Sequence, residues 1–247
     1  MCIRDSDANG DSWGEPIVIA EMYQFPGNVI SAAIVNGHPA IAYFSWTDSK
    51  VKYVRALDAN GDSWGSPINL GNWISPSLLV VNGKPAVCCS GVIYVRALDA
   101  NGETWGTPVN VTPEWGYWTQ MFLVNGCPAI TCDARVPELD THVLKYVRAL
   151  DADGNSWGET ITVSSDIDTR MNSALVVHGH PAIAYEWHHG DYSHLKYVKA
   201  TDPDGTNWRP PVIVDEASLS YPCLNTVNGC PAISYIDGIQ IKFAIYY

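Results

Sequence analysis

Apolar residues along this chain fall into short alternating or continuous runs, each cut off by a turn of Gly, Asn, Asp or Pro, and the whole pattern returns five times. One element reads VNGHPAIAY from Val35 to Tyr43. It comes back as VNGKPAVCC at Val81, VNGCPAITC at Val124, VHGHPAIAY at Val177 and VNGCPAISY at Val227. A two-residue turn of the Asn-Gly kind between two apolar runs signals a hairpin. The other element reads DANGDSWG at Asp7 and Asp58, DANGETWG at Asp99, DADGNSWG at Asp151 and DPDGTNWR at Asp202. Its tryptophans, Trp13, Trp64, Trp105, Trp157 and Trp208, are spaced 51, 41, 52 and 51 residues apart. A strand-built repeat of about 40 to 50 residues points to a β-propeller with one blade per repeat.

The second repeat shows what one blade should contain. Ser77 to Val81 and Pro85 to Cys89 are apolar runs that read as inner strands buried on both faces. Val92 to Leu98 alternates around Tyr94 and Arg96, as a half-exposed third strand does, and Trp105 to Val111 follows the Asp99 turn as the outer strand. The predicted fold is therefore all-β: a single five-bladed β-propeller of four-stranded antiparallel blades. Expected blades span approximately 28–70, 77–111, 119–163, 172–214, and 222–247 completed by 7–20. The last is shared between the termini, because Trp13 to Ile19 lacks inner strands ahead of it and Ile239 to Tyr247 lacks an outer strand behind it. Residues 1–6, MCIRDS, stand where other copies read KYVRAL, and look like a foreign leader.

Composition narrows the function classes. With 26 acidic against 14 basic side chains the net charge is -12, which disfavours a nucleic-acid partner. No apolar run is long enough for a membrane span. A monomer is expected, secreted or at a cell surface, although no signal peptide is visible. The seven cysteines occupy repeat positions filled elsewhere by Ala, Tyr, His or Lys, so free thiols are expected and not a disulfide framework.

A blade sorts its turns onto two faces. One carries the near-identical VNGxP and DANGxSW turns, whose repetition is what packing requires. The other carries the loops that differ, among them 44–50, 71–76, 112–119, 133–142, 164–171 and 186–194. The five tryptophans outside the repeat, Trp46, Trp73, Trp115, Trp118 and Trp187, all fall in or beside these loops, joined by Tyr23, Phe25, Tyr117, Tyr192 and Tyr221. Rings in variable loops on a rigid scaffold suit ligand binding. Arg135, Arg170, His188, His189 and Asp191 supply polar partners nearby. His178 and His180 belong to the opposite face and cannot share a ligand sphere with His188, His189 and His194. Asp58, Asn60 and Asp62 have the alternation of a calcium loop, but Gly61 is misplaced for one and no bidentate Glu follows, so neither metal nor cofactor is expected.

The D-x-N-G-x-S-W element resembles the Asp-box hairpin of sialidase-type propellers, S-x-D-x-G-x-T-W. Gly-to-Trp spacing agrees, while the Asp stands one residue further from the Trp; the resemblance implies a structural turn and no catalytic residue. Repeat length and blade count resemble the five-bladed tachylectin-type lectins. Five-bladed glycosidases are similar in shape and place acids at the starts of the innermost strands, where this chain has Ser31, Ser77, Gln120, Ser173 and Cys223. The expected function is accordingly a non-catalytic, lectin-like module that binds a glycan or glycoconjugate through Trp46, Trp73, Trp115, Tyr117, Trp118, Arg135, Arg170, Trp187, His188, His189, Asp191 and Tyr192. The alternative is a loop-built glycan hydrolase or lyase in which His188, His189, Tyr192 and loop acids such as Asp133, Glu138, Asp140, Asp166, Asp168 or Asp237 would act. A protein-interaction scaffold is the further alternative.

Overall fold

The computed structural model describes residues 14–21, 30–190, 192–216 and 221–246. The chain forms two compact units, Met1–Cys89 with Tyr94–Val109, and Ser90–Ile93 with Asn110–Tyr247.

Five antiparallel sheets follow the five repeats. The first comprises β1 (Ile30–Val35), β2 (His38–Ser45), β3 (Lys50–Arg55) and β4 (Ile68–Gly71) in sequential order. The second comprises β5 (Ser77–Val81), β6 (Lys84–Cys89), β7 (Ile93–Arg96) and β8 (Val109–Asn110). β9 (Gly116–Val124), β10 (Cys127–Val136), β11 (Thr141–Arg148) and β12 (Ile161–Ile167) make the third. β13 (Thr169–Val177), β14 (His180–His189), β15 (Tyr192–Lys199) and β16 (Val212–Asp215) make the fourth. The fifth has three strands among the described residues: β17 (Cys223–Val227), β18 (Cys230–Asp237) and β19 (Gln240–Ile245). The strand expected at 13–19 begins at Trp13, outside the described residues, and residues 14–21 carry no strand. The expected outer strands shrink to short ladders: Trp105 keeps only an isolated bridge to Ala97, and β8 starts at Val109.

The repeated sequences explain the repeated geometry. Each x-Gly turn between first and second strands puts two residues at positive φ, 45° at Asn36 and 78° at Gly37 for instance, the requirement that Asn-Gly meets cheaply. In the other turn the leading Asp gathers backbone donors. Asp58 Oδ1 accepts from the amides of Asn60 and Asp62 at 3.0 Å, and Oδ2 accepts from the Ser63 amide at 2.9 Å and hydroxyl at 2.6 Å. Trp64 Nε1 closes the turn on Gly61 O at 2.9 Å. With its oxygens consumed locally, this carboxylate is a turn element, and the same pattern returns at Asp99, Asp151 and Asp202.

Within each unit, sheets pack face to face through small and β-branched side chains. Val35, Ala40, Ala42, Val51 and Tyr53 of the first sheet meet Leu78, Val87, Cys89 and Val95 of the second. In the other unit, Phe122, Ala129, Leu144 and Tyr146 meet Ala174, Ile183, Tyr185 and Val198, and a further cluster joins Val177, Ala184 and Leu195 to Leu224 and Ile233. Polar staples reinforce this: Ser31 Oγ accepts from the Leu78 amide, Gln120 Oε1 from Ala174, and Ser173 Oγ from Leu224, at 2.7–2.9 Å. The six described cysteines are all free thiols.

Candidate functional site

The third and fourth sheets, both in the second unit, carry a feature the other sheets lack. β10 and β14 run for ten residues each, against eight, six and eight in β2, β6 and β18. The segments expected to be loops from Asp133 and Glu186 onward are continuations of these strands. One residue past the repeat core the five copies read Phe44, Ser90, Asp133, Glu186 and Ile236, so the two long strands place acids at equivalent positions. Both are sealed, with 0% exposure at Asp133 and 1% at Glu186.

Two bulges organise the surroundings of Asp133. β9 slips register against β10 between the pairs at Thr131 and Asp133, and β13 slips against β14 between Arg170 and Ser173. Trp118 (φ 43°) and Met171 (φ 44°) absorb the slips in the left-handed region, an uncommon conformation for large side chains. The second bulge turns Asn172 toward the neighbouring sheet. Its Nδ2 donates to Asp133 Oδ2 at 3.0 Å and to the Trp118 carbonyl at 2.8 Å, while its Oδ1 accepts from the Thr131 hydroxyl at 2.5 Å. Asp133 Oδ1 and the Thr169 hydroxyl are buried without a well-formed hydrogen bond. Burial pushes the Asp133 carboxyl up to about 7; Asn172 and Thr169 oppose the shift, the charge of Glu186 adds to it and Arg170 opposes it.

Glu186 is held by histidine. His188 Nε2 donates to Glu186 Oε1 at 2.6 Å, and the Ser193 hydroxyl lies 3.3 Å from Nδ1 of the same ring. Across the ladder Glu186 faces Arg170, whose guanidinium binds Asp168 Oδ1 at 3.1 Å.

Nearer solvent, the third sheet carries a chain of aromatic side chains beside the end of β10. Trp115 is 53% exposed and meets Tyr117 at 6.3 Å; Tyr117 meets Trp118 at 6.1 Å and stands edge-on to His142 at 5.4 Å. Arg135 pairs with Asp140 at 2.9 Å. Burial lowers the His142 pKa, Asp168 opposes that, and Arg170 and Arg135 reinforce it, so these groups share one electrostatic neighbourhood.

Of the residues singled out from the sequence, Trp115, Tyr117, Trp118, Arg135 and Arg170 converge here through these contacts. His188 joins them as the partner of Glu186. Trp187 is packed: His189 and His194 stack on it at 5.1 Å and Lys196 Nζ lies 3.5 Å from its ring centre. Tyr192 is exposed on β15. Trp46, edge-on to Phe44 at 4.7 Å, and Trp73, folded over Gly71, support the core of the other unit. Asp191, Tyr23 and Phe25 lie outside the described residues. Read from the sequence, Asp133 is a loop acid with no link to Glu186; only extending the repeat alignment by one residue brings the two to equivalent positions. Among the described residues no group of three or more His, Cys, Asp or Glu is arranged to hold a metal ion.

No protein-family profile and no curated protein sequence matches the chain. Solved structures do. An α-L-arabinofuranosidase of glycoside hydrolase family 43 from Clostridium thermocellum aligns with a TM-score of 0.52 at 11% identity, over 85% of this chain and 82% of that one. An endo-1,4-β-xylanase from Bacteroides thetaiotaomicron aligns at 0.52 and 11%, covering 88% and 89%. A family 43 endo-arabinanase from Bacillus licheniformis aligns at 0.50 and 9%, covering 92% and 97%. These neighbours are glycan-cleaving enzymes, which overturns the expected non-catalytic, lectin-like module; the lectin resemblance is not supported. At such identities the likeness shows the fold, and the fold is that of the all-β, five-bladed β-propellers.

Proposed function

We propose that this chain is a glycan hydrolase whose site lies at the extended ends of β9, β10, β13 and β14. The observation that carries the reading is Asp133, a fully buried carboxyl held near 7 beside a second buried acid, under a solvent-facing rim of rings and charges. Glycosidic cleavage needs a carboxyl that still holds a proton at neutral pH and a second, ionised carboxylate to act on water or on the sugar. Asp133 meets the first requirement. Asp168, fixed by Arg170 at the rim, is the accessible candidate for the second. Asp133 Oδ1, buried without a well-formed hydrogen bond, is the atom that would deliver the proton. Trp115 and Tyr117 offer ring faces for sugar C–H groups, and Arg135 and His142 offer donors for hydroxyls. The innermost-strand positions where the similar glycosidases carry acids are spent here on staples from Ser31, Gln120 and Ser173, so the acids must come from the second strands and the rim.

The fold likeness supports polysaccharides of the arabinan and xylan kinds as first substrates. Release of reducing sugar from such a panel tests the reading. Asp133→Asn and Asp168→Asn should each cut the rate by about 10²-fold or more with the fold intact. A parent protein that releases nothing from any of these polymers, or variants that keep the parental rate, would sink it.

A further inference from the structure

The proton transfer assigned to Asp133 leaves three polar side chains of the fourth sheet without a role, and they form a chain of their own. β14 and β15 pair Glu186 with Leu195 and His188 with Ser193. Residues opposite one another in a ladder share a face of the sheet, as do residues two apart along a strand, so Glu186, His188 and Ser193 stand on one face. The His188 amide donates to the Asp168 carbonyl at 3.1 Å, which fixes the backbone beneath the ring. His188 Nε2 donates to Glu186 Oε1 at 2.6 Å. The Ser193 hydroxyl lies beside the same ring, 3.3 Å from Nδ1 and 3.5 Å from Nε2. With the Nε2 hydrogen committed to the carboxylate, Nδ1 is the basic nitrogen of this tautomer, the one able to take a proton from the hydroxyl. Glu186 and Ser193 are 1% and 7% exposed, whereas the His188 side chain keeps 22% of its surface in solvent, so the trio is approached from the histidine.

The repeat does not account for this arrangement. Where the fourth sheet has Glu186 opposite Leu195, the first has Phe44 opposite Val51 and the fifth has Ile236 opposite Ile241. The pair equivalent to His188 and Ser193 is Arg135 and His142 in the third sheet, and β2, β6 and β18 end before that position. Packing and turn geometry recur in every copy, so they do not require these residues. A buried carboxylate needs a partner, which explains His188 but not a hydroxyl set beside its second nitrogen.

We propose that Ser193, His188 and Glu186 form an esterolytic site that removes small acyl groups, acetyl above all, from the hydroxyls of an alcohol or sugar. A hydroxyl beside an imidazole that a carboxylate orients is the arrangement that activates serine for acyl transfer. Ser193 Oγ bonds to the ester carbonyl carbon while His188 Nδ1 takes its proton. The carbon–oxygen bond to the alcohol then breaks, and Nδ1 returns the proton to the departing oxygen. Water repeats the two steps on the acyl-serine, releasing the carboxylic acid and restoring the hydroxyl. Glu186 holds the ring and balances the imidazolium charge throughout. The near-complete burial of Ser193 sets the acyl size, since only a short chain passes His188 to reach Oγ. None of this depends on glycosidic cleavage at Asp133.

The full chain is tested with 4-nitrophenyl acetate and a fluorophosphonate probe. Parent protein should release nitrophenolate in a burst of about one equivalent followed by turnover, and peptide mass mapping should find the phosphonate on Ser193. Ser193→Ala, which removes one oxygen from a buried site, should lose the label and about 10²-fold or more of the turnover while melting within a few degrees of the parent. Glu186→Gln should also lose turnover, because its amide donates to Nε2 and forces the hydrogen onto Nδ1. Parent protein that takes no label at Ser193, or takes it at another residue, overturns the proposal. So does a Ser193→Ala protein that hydrolyses the ester at the parental rate.

Discussion

At the scale of single residues, the acids of this chain divide into two kinds with opposite pH behaviour. Asp58 is drawn well below the usual carboxylate range, first by the Ser63 hydroxyl and then by the amides that converge on it. Asp151 reaches about 2, because hydrogen bonds from Ser156, Asn155 and Asp153 outweigh the opposing effect of burial. Groups with a depressed folded pKa contribute stability above the unfolded value, and that stability is lost as pH falls through the folded one. Asp133 runs the other way. The folded state holds its proton more tightly than the unfolded chain, so it is destabilising wherever the unfolded carboxyl ionises first. Unfolding free energy should therefore fall as pH rises from about 4 to about 7, by an amount on the order of 4 kcal/mol. Asp133→Asn, which can keep the bond from Asn172, should flatten that slope; denaturant titrations at pH 4.5 and 7.5 measure it. An unchanged slope in the variant would place the titrating group elsewhere.

At the scale of elements, the turns show how a repeated sequence does two jobs. Gly83 and Gly102 both sit at positive φ, 75° and 78°, yet a Cβ on Gly83 meets nothing within 4 Å while one on Gly102 meets the Tyr53 ring. Gly83→Ala should cost about 1 kcal/mol of backbone strain alone. Gly102→Ala should cost that plus about 1–3 kcal/mol of overpacking against the neighbouring sheet. Comparing the two midpoints in urea separates local turn geometry from sheet docking, and equal losses would contradict that contact. Strand length is the other lesson at this scale. Apolar patterning places the ends of β10 and β14 at Cys132 and Tyr185, but both strands continue to Val136 and His189: β9 and β13 stay paired only as far as Ala134 and Trp187, and β11 and β15 supply the partners of the last residues. Polar residues in those extensions read as loop in isolation. Cross-strand pairing, a non-local property, makes them strand.

At the scale of the whole molecule, stability rests on apolar contacts between sheets without a covalent framework. Seven cysteines are present; of the six described, Cys88, Cys89 and Cys132 are buried, Cys127 and Cys230 are half-buried and Cys223 is exposed. A thiol reagent added to native protein should react at once with Cys223 and slowly with the others. Unfolding without reductant should release all seven, and a yield of five would mean a disulfide. The buried thiols also report opening of the core, since burial raises the Cys89 thiol pKa and so keeps it unreactive until the sheet it belongs to unfolds.

What the sequence determined by itself was whatever depends on short-range chemistry repeated five times: the sheets, their antiparallel order, the two turn types and the blade count. Local rules suffice there because Asn-Gly, Asp-x-x-Gly and alternating Val, Ile and Ala act over fewer than ten residues, and repetition averages out the errors of any one copy. The tertiary structure alone decided which side chains share a site. Trp115, Tyr117 and Trp118 remain at a solvent-facing rim, whereas Trp46, Trp73 and Trp187 are used for packing, a distinction that composition and loop position cannot make. Asp133 and Glu186, 53 residues apart in the chain by their numbering, become electrostatic neighbours only when β10 and β14 stand in adjacent sheets. Burial, which turns an ordinary aspartate into a proton-holding group near neutral pH, is a property of the packed sheets and not of the residue.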